Sequence, residues 1–85
     1  MSEYKLEVKG FITLNDYGNI YDYIGIVGMN DKFTITIDYL DEKNMDLIKS
    51  MLKYKDFIVT DSGKSEDGNY YIQAQRNDNE YKNNI

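Results

Sequence analysis

Cysteine and histidine are both absent from this chain. Without cysteine there are no disulfides, no thiolate nucleophiles and no cysteine-based zinc sites. Without histidine there is no Ser-His-Asp triad, no imidazole general base and no imidazole metal ligand. Proline is missing too, while Asn, Asp, Lys, Ile and Tyr are frequent, a composition typical of AT-rich coding. Apolar runs are only a few residues long, far short of a membrane span. Met1-Ser2-Glu3-Tyr4-Lys5 alternates charge and lacks the apolar stretch of a signal peptide. These absences predict a soluble, cytoplasmic, non-enzymatic protein with no cofactor and no metal.

The 85 residues suit one domain, and a hydrophobic content of 41% suffices for one core. So small a domain buries a modest share of its surface, so self-association or a partner would add burial. The domain is expected over residues 1–76, with 77–85 a polar, Asn-rich disordered tail.

The net charge is −5. Residues 1–31 carry five acids against two lysines, residues 32–55 are nearly balanced, and residues 56–85 carry six acids against three bases. Acidity of this kind repels phosphate backbones and suits a basic protein partner. It also serves solubility alone.

Periodicity predicts the elements. Tyr4, Leu6, Val8, Gly10, Ile12 and Leu14 alternate with Glu3, Lys5, Glu7, Lys9, Phe11 and Thr13, the pattern of a long strand bent at Gly10. Asn15-Asp16-Tyr17-Gly18-Asn19 reads as a turn. Residues 19–29 read as a second strand, with apolar residues on both faces and Gly25 and Gly28 allowing a bend. Met29-Asn30-Asp31-Lys32 reads as a hairpin turn. Residues 32–39 read as a third strand, with Phe33, Ile35, Ile37 and Tyr39 inward. Asp41 is a good N-cap for a helix running to about Tyr54, with an apolar stripe of Met45, Ile48 and Leu52. Strands at 56–61 and 69–76, separated by a turn-rich loop, complete a β-β-β-α-β-β order.

That order, with Lys9-Gly10-Phe11-Ile12 in the first strand and Asp56-Phe57-Ile58-Val59 opening the fourth, resembles the OB-fold, anticodon-binding-like small β-barrel families. The resemblance is one of pattern and covers about residues 4–76. It implies a mainly β (α+β) fold: a five-stranded barrel plugged by one helix. The alternative is a small antiparallel sheet with one packed helix.

Motifs for chemistry are thin. Gly63-Lys64-Ser65 has Ile58 where a P-loop requires glycine. Asp61, Glu66 and Asp67 lack EF-hand spacing. Asp38, Asp41, Glu42 and Asp46 gather where a helix start attracts acids anyway.

Tyrosine is the abundant functional residue, with nine copies. Tyr4, Tyr39 and Tyr70 fall on inward sets, whereas Tyr21, Tyr23 and Tyr71 fall on outer ones with Phe11 beside them. The candidate binding residues are Phe11, Tyr21, Tyr23, Thr34, Thr36, Lys64, Tyr71 and Arg76. Two uses compete. Tyrosine suits protein interfaces, since one ring offers area and a hydrogen bond. The OB resemblance implies base stacking on Tyr21 and Tyr23, with Lys64 and Arg76 as nearby cations. Acidity favours the protein partner. By analogy, size and lack of catalytic groups match small inhibitor or accessory proteins of phages and mobile elements.

Overall fold

A computed structural model describes residues 2–76. Its element order is β1 (Glu3–Phe11), α1 (Leu14–Ile26), β2 (Lys32–Tyr39), α2 (Glu42–Tyr54), β3 (Phe57–Lys64) and β4 (Tyr70–Arg76). The four strands form one mixed sheet in the order β1-β2-β4-β3. β1 and β2 are parallel, and β4 lies antiparallel to both of its neighbours. A parallel pair needs a crossover rather than a hairpin, and α1 is that crossover.

This is an α+β domain with two helices and an open sheet, not a closed barrel. The OB-like barrel expected from strand order fails at residues 14–26, which form a helix instead of a turn and a strand. The cause is local. Thr13 caps the helix in a capping box: its side chain accepts from the Asp16 amide, and Asp16 accepts from the Thr13 amide at 2.8 Å. Ile20 and Ile24, four apart, then fall on one helical face and are buried. The residues read as a hairpin turn, Met29 to Lys32, join α1 to β2 rather than two strands. β1 pairs with β2 alone, so it does not bridge two sheet neighbours as a barrel's first strand would.

The other elements follow their patterns. β2 spans the expected residues, α2 starts behind the Asp41 cap, and β4 covers nearly all of its expected strand. β3 runs three residues past its expected end and turns back through Ser65–Asn69.

Both helices pack on one face of the sheet. Val8, Phe33, Ile35, Ile37, Phe57, Ile72 and Ala74 point inward and join Ile20 and Ile24 of α1 and Ile48 and Leu52 of α2 in a single core. Arg76 ties the layers together. Its Nε donates to the Val27 carbonyl at 3.0 Å and its Nη2 to the Ile24 carbonyl at 2.6 Å, while the guanidinium lies 4.7 Å from the Phe57 ring. α1 has no basic residue in its last turn, so Arg76 supplies the cation that its C-terminus favours.

No helix among the described residues is long and apolar enough to cross a membrane. The polar tail expected at 77–85 lies outside the described residues.

Candidate functional site

The helix-free face of the sheet follows directly from strand alternation. Register sets Lys5 of β1 beside Thr34 of β2, and Thr34 beside Gln73 of β4. The next row is Glu7, Thr36 and Tyr71. Thr34, Thr36 and Tyr71, three of the sequence candidates, therefore share one polar surface. Tyr71 donates to Asp61 Oδ2 at 3.2 Å, and this bond raises its pKa above the ordinary tyrosine value. A polar outer face is the usual state of a sheet covered on one side only.

The other candidates come from other elements. Tyr21 and Tyr23 are on α1, not on a strand, so they do not form the expected strand platform of two tyrosines; Tyr23 alone lines a groove of about 590 Å³ together with Thr34 and Thr36. Tyr23 stacks on buried Phe33 at 5.5 Å and supports the core. Tyr21 is exposed and lies 5.0 Å from Lys55 Nζ, which also sits 5.5 Å from the Tyr54 ring. Lys64, exposed at the end of β3, covers the Tyr70 ring at 5.5 Å. Arg76 is engaged with α1 as described.

Phe11 leads to the most distinctive surface. Between Val8 and Phe11 the register with β2 slips: Val8 faces Ile37, yet Phe11 faces Tyr39. One extra residue on β1 makes this a bulge, and Gly10 within it has φ +72°, a conformation that costs an L side chain about 1–2 kcal/mol. The Gly10 amide donates to Asp38 Oδ2 at 2.9 Å, which pins the bulge. The extra residue reverses the alternation, so Phe11 comes to lie with Tyr39. Their rings stack at 5.0 Å with 25° between planes.

Both rings face solvent: Phe11 is 76% exposed and Tyr39 57%. Tyr39, expected inward with Phe33, Ile35 and Ile37, continues their alternation but lies beyond the buried core. Leu14, at the start of α1, is 89% exposed. Beside the stack runs a groove of about 310 Å³ lined by Phe11, Ile12, Tyr39, Leu40, Asn44 and Tyr70, with Asp41 its one charged lining residue.

This groove lies at the carboxyl ends of the parallel strands β1 and β2, where both helices begin. Open α/β sheets commonly bind ligands in that position. Here the helix N-termini are already satisfied. Asp16 and Thr13 close α1, and Asp41 Oδ1 accepts from the Asn44 amide at 2.8 Å. The carboxylates occupy the donors that an anion would need. Tyr17 donates to Asn44 Oδ1, joining the two helix starts. Burial, and then Asp41, raise the Tyr17 pKa.

Sequence reasoning placed Phe11 among the binding residues but missed Tyr39 as its partner. A glycine in a bulge immediately before an aromatic is the signal that connects them. Among the described residues no three carboxylates converge as a metal site would need. Comparisons with protein families, curated proteins and solved structures find no match to this chain.

Proposed function

We propose that the chain is a small non-catalytic recognition module, and that its docking element is the stacked Phe11–Tyr39 pair with the adjoining groove. The observation that carries this reading is the exposure of two stacked aromatic rings on a chain with a full core elsewhere. Aromatic anchors of this size bury roughly 150–250 Å² each. Their transfer from water is worth several kcal/mol at about 25 cal/mol per Å². Leaving both in solvent forgoes that energy, which a partner recovers.

Charge directs the choice of partner. The chain carries −5 overall, Asp41 lines the groove, Asp38 holds the Gly10 amide beside it, and Lys64 lies over the Tyr70 ring that also lines it. A protein segment bearing basic and apolar side chains fits both features: apolar groups cover the rings, and cations meet the carboxylates and the aromatic faces. An inhibitor or accessory role toward a basic protein is the biological setting that agrees with this chemistry.

The test uses a defined probe, the peptide acetyl-Leu-Arg-Leu-Arg-Leu-Arg-amide, titrated calorimetrically. Loss of two central anchors costs about 2 kcal/mol or more, so Phe11→Ala/Tyr39→Ala is expected to weaken binding about 30-fold. Undiminished affinity in the double variant would refute the assignment of the site.

A further inference from the structure

The two edges of the sheet are built differently. β1 carries Glu3, Lys5, Glu7 and Lys9, which pair in sequence as Lys5–Glu3 at 3.6 Å and Lys9–Glu7 at 4.0 Å. Charges along an edge discourage the addition of another strand. β3, the opposite edge, opens instead with Phe57-Ile58-Val59. Ile58 is 50% exposed.

Beside this apolar edge lies a groove of about 500 Å³ between α2 and β3. Its lining is Lys49 and Lys53 of α2, then Asp56, Phe57, Ile58 and Val59. Among the described residues, neither lysine makes a salt bridge. A strand edge that opens apolar, rimmed by these two lysines, without a salt bridge, against the one carboxylate of Asp56, stands apart on an otherwise acidic chain.

We infer that the free edge of β3 accepts an extended polypeptide segment in which acidic and apolar side chains alternate, added as a fifth strand. The backbone groups of Phe57 to Val59 that face away from β4 supply the pairing, as in other strand-addition complexes. The period of two sends alternate side chains of the incoming segment to the two faces of the sheet. Those on the α2 side meet Lys49 and Lys53, and those on the open side meet Ile58. The register slip between Val59 and Asp61 ends the flat stretch of the edge, so the paired segment is short.

A second copy of the chain fits this edge poorly. Pairing β3 with β3 about a two-fold axis would bring the lysine rims of both copies together, and like charges oppose it. A nucleic acid would meet the lysines but has no strand backbone for the edge. This surface is separate from the Phe11–Tyr39 groove, so either proposal can fail alone.

The probe is a fluorescently labelled peptide, acetyl-Val-Glu-Val-Glu-Val-Glu-Val-amide, followed by anisotropy. It is expected to bind, while the same peptide with lysine for glutamate does not. Lys49→Glu/Lys53→Glu should weaken binding by about tenfold or more. Ile58→Lys, at an exposed position, should act likewise with the far-UV spectrum unchanged. Bound peptide should also slow hydrogen exchange of β3 amides. Equal binding of the lysine peptide, indifference to the lysine reversals, or displacement by oligothymidylate would overturn the inference. So would self-association abolished by Ile58→Lys, which would give the edge to a second copy.

Discussion

Replacing Arg76 by alanine should cost this domain far more stability than an ordinary substitution of a polar surface side chain. The guanidinium makes two part-buried hydrogen bonds to carbonyls at the end of α1, at 3.0 and 2.6 Å, and lies 4.7 Å from the Phe57 ring. Hydrogen bonds to a charged group contribute about 1.5–3 kcal/mol each when buried, less where water replaces them. The cation–ring contact adds about 0.5–1 kcal/mol. With the carbonyls partly rehydrated in the variant, the loss comes to about 2–3 kcal/mol. A domain of this size holds only roughly 4–12 kcal/mol in total. Each kcal/mol shifts its melting temperature by about 4–8 °C, so a drop of about 10–20 °C is expected. Urea unfolding followed by circular dichroism should show a lower midpoint with an unchanged slope. Arg76→Lys keeps the charge but not the two-pronged geometry, and should recover less than half of the loss. A change below about 0.5 kcal/mol in the alanine variant, the range of ordinary surface substitutions, would refute the reasoning. It would return Arg76 to the role of a free cation available to a ligand.

Three further outcomes follow from the geometry. Gly10→Ala meets no steric neighbour, so its cost is that of the φ +72° backbone alone, about 1–2 kcal/mol by thermal melting. It should also lower affinity for the arginine–leucine peptide, because the bulge places Phe11 on Tyr39. In a spectrophotometric pH titration, Tyr71 should ionise above the ordinary tyrosine range, held there by its bond to Asp61. A raised folded value means that this bond stabilises the fold below the ordinary tyrosine pKa and is lost as pH rises through the folded one; Asp61→Asn should remove the shift. Asp31 shows the opposite sign. The amides of Gly28 and Ser2, at 2.8 and 2.9 Å, hold its carboxyl below the usual carboxylate range. Its contribution is present at neutral pH and lost as pH falls through that lowered value, so Asp31→Asn should flatten the acid limb of stability against pH.

Residues 32–76 were largely legible as sequence because each segment matched one period only. Phe33, Ile35 and Ile37 alternate without exception, and Asp41 followed by Met45, Ile48 and Leu52 fits only a helix. Residues 14–26 matched two periods. Ile20, Ile24 and Ile26 alternate as in a strand, yet Ile20 and Ile24 also repeat as on a helix, and Gly18 and Gly25 lower helix propensity. The capping box at Thr13 and Asp16 decides between them, and it was visible. That one reassignment changed the fold from barrel to open sheet and moved Tyr21 and Tyr23 off the sheet. The Phe11–Tyr39 pair was hidden for a different reason: a strict period of two puts Phe11 opposite in sense to Leu6 and Val8, and only the bulge corrects it. Thr34, Thr36 and Tyr71 were assigned to outer faces by alternation alone, and cross-strand register sets them side by side.

The central claim is that the end of the sheet bearing Phe11 and Tyr39 is where this chain meets its partner. Amide chemical shifts of the isotope-labelled protein, recorded while the arginine–leucine peptide is titrated in, test it directly. The account predicts perturbations confined to Gly10–Ile12, Tyr39–Asn44 and Tyr70, lost in Phe11→Ala/Tyr39→Ala. Shifts centred on Thr34, Thr36 and Tyr71 instead, with the Phe11 end unmoved, would contradict it.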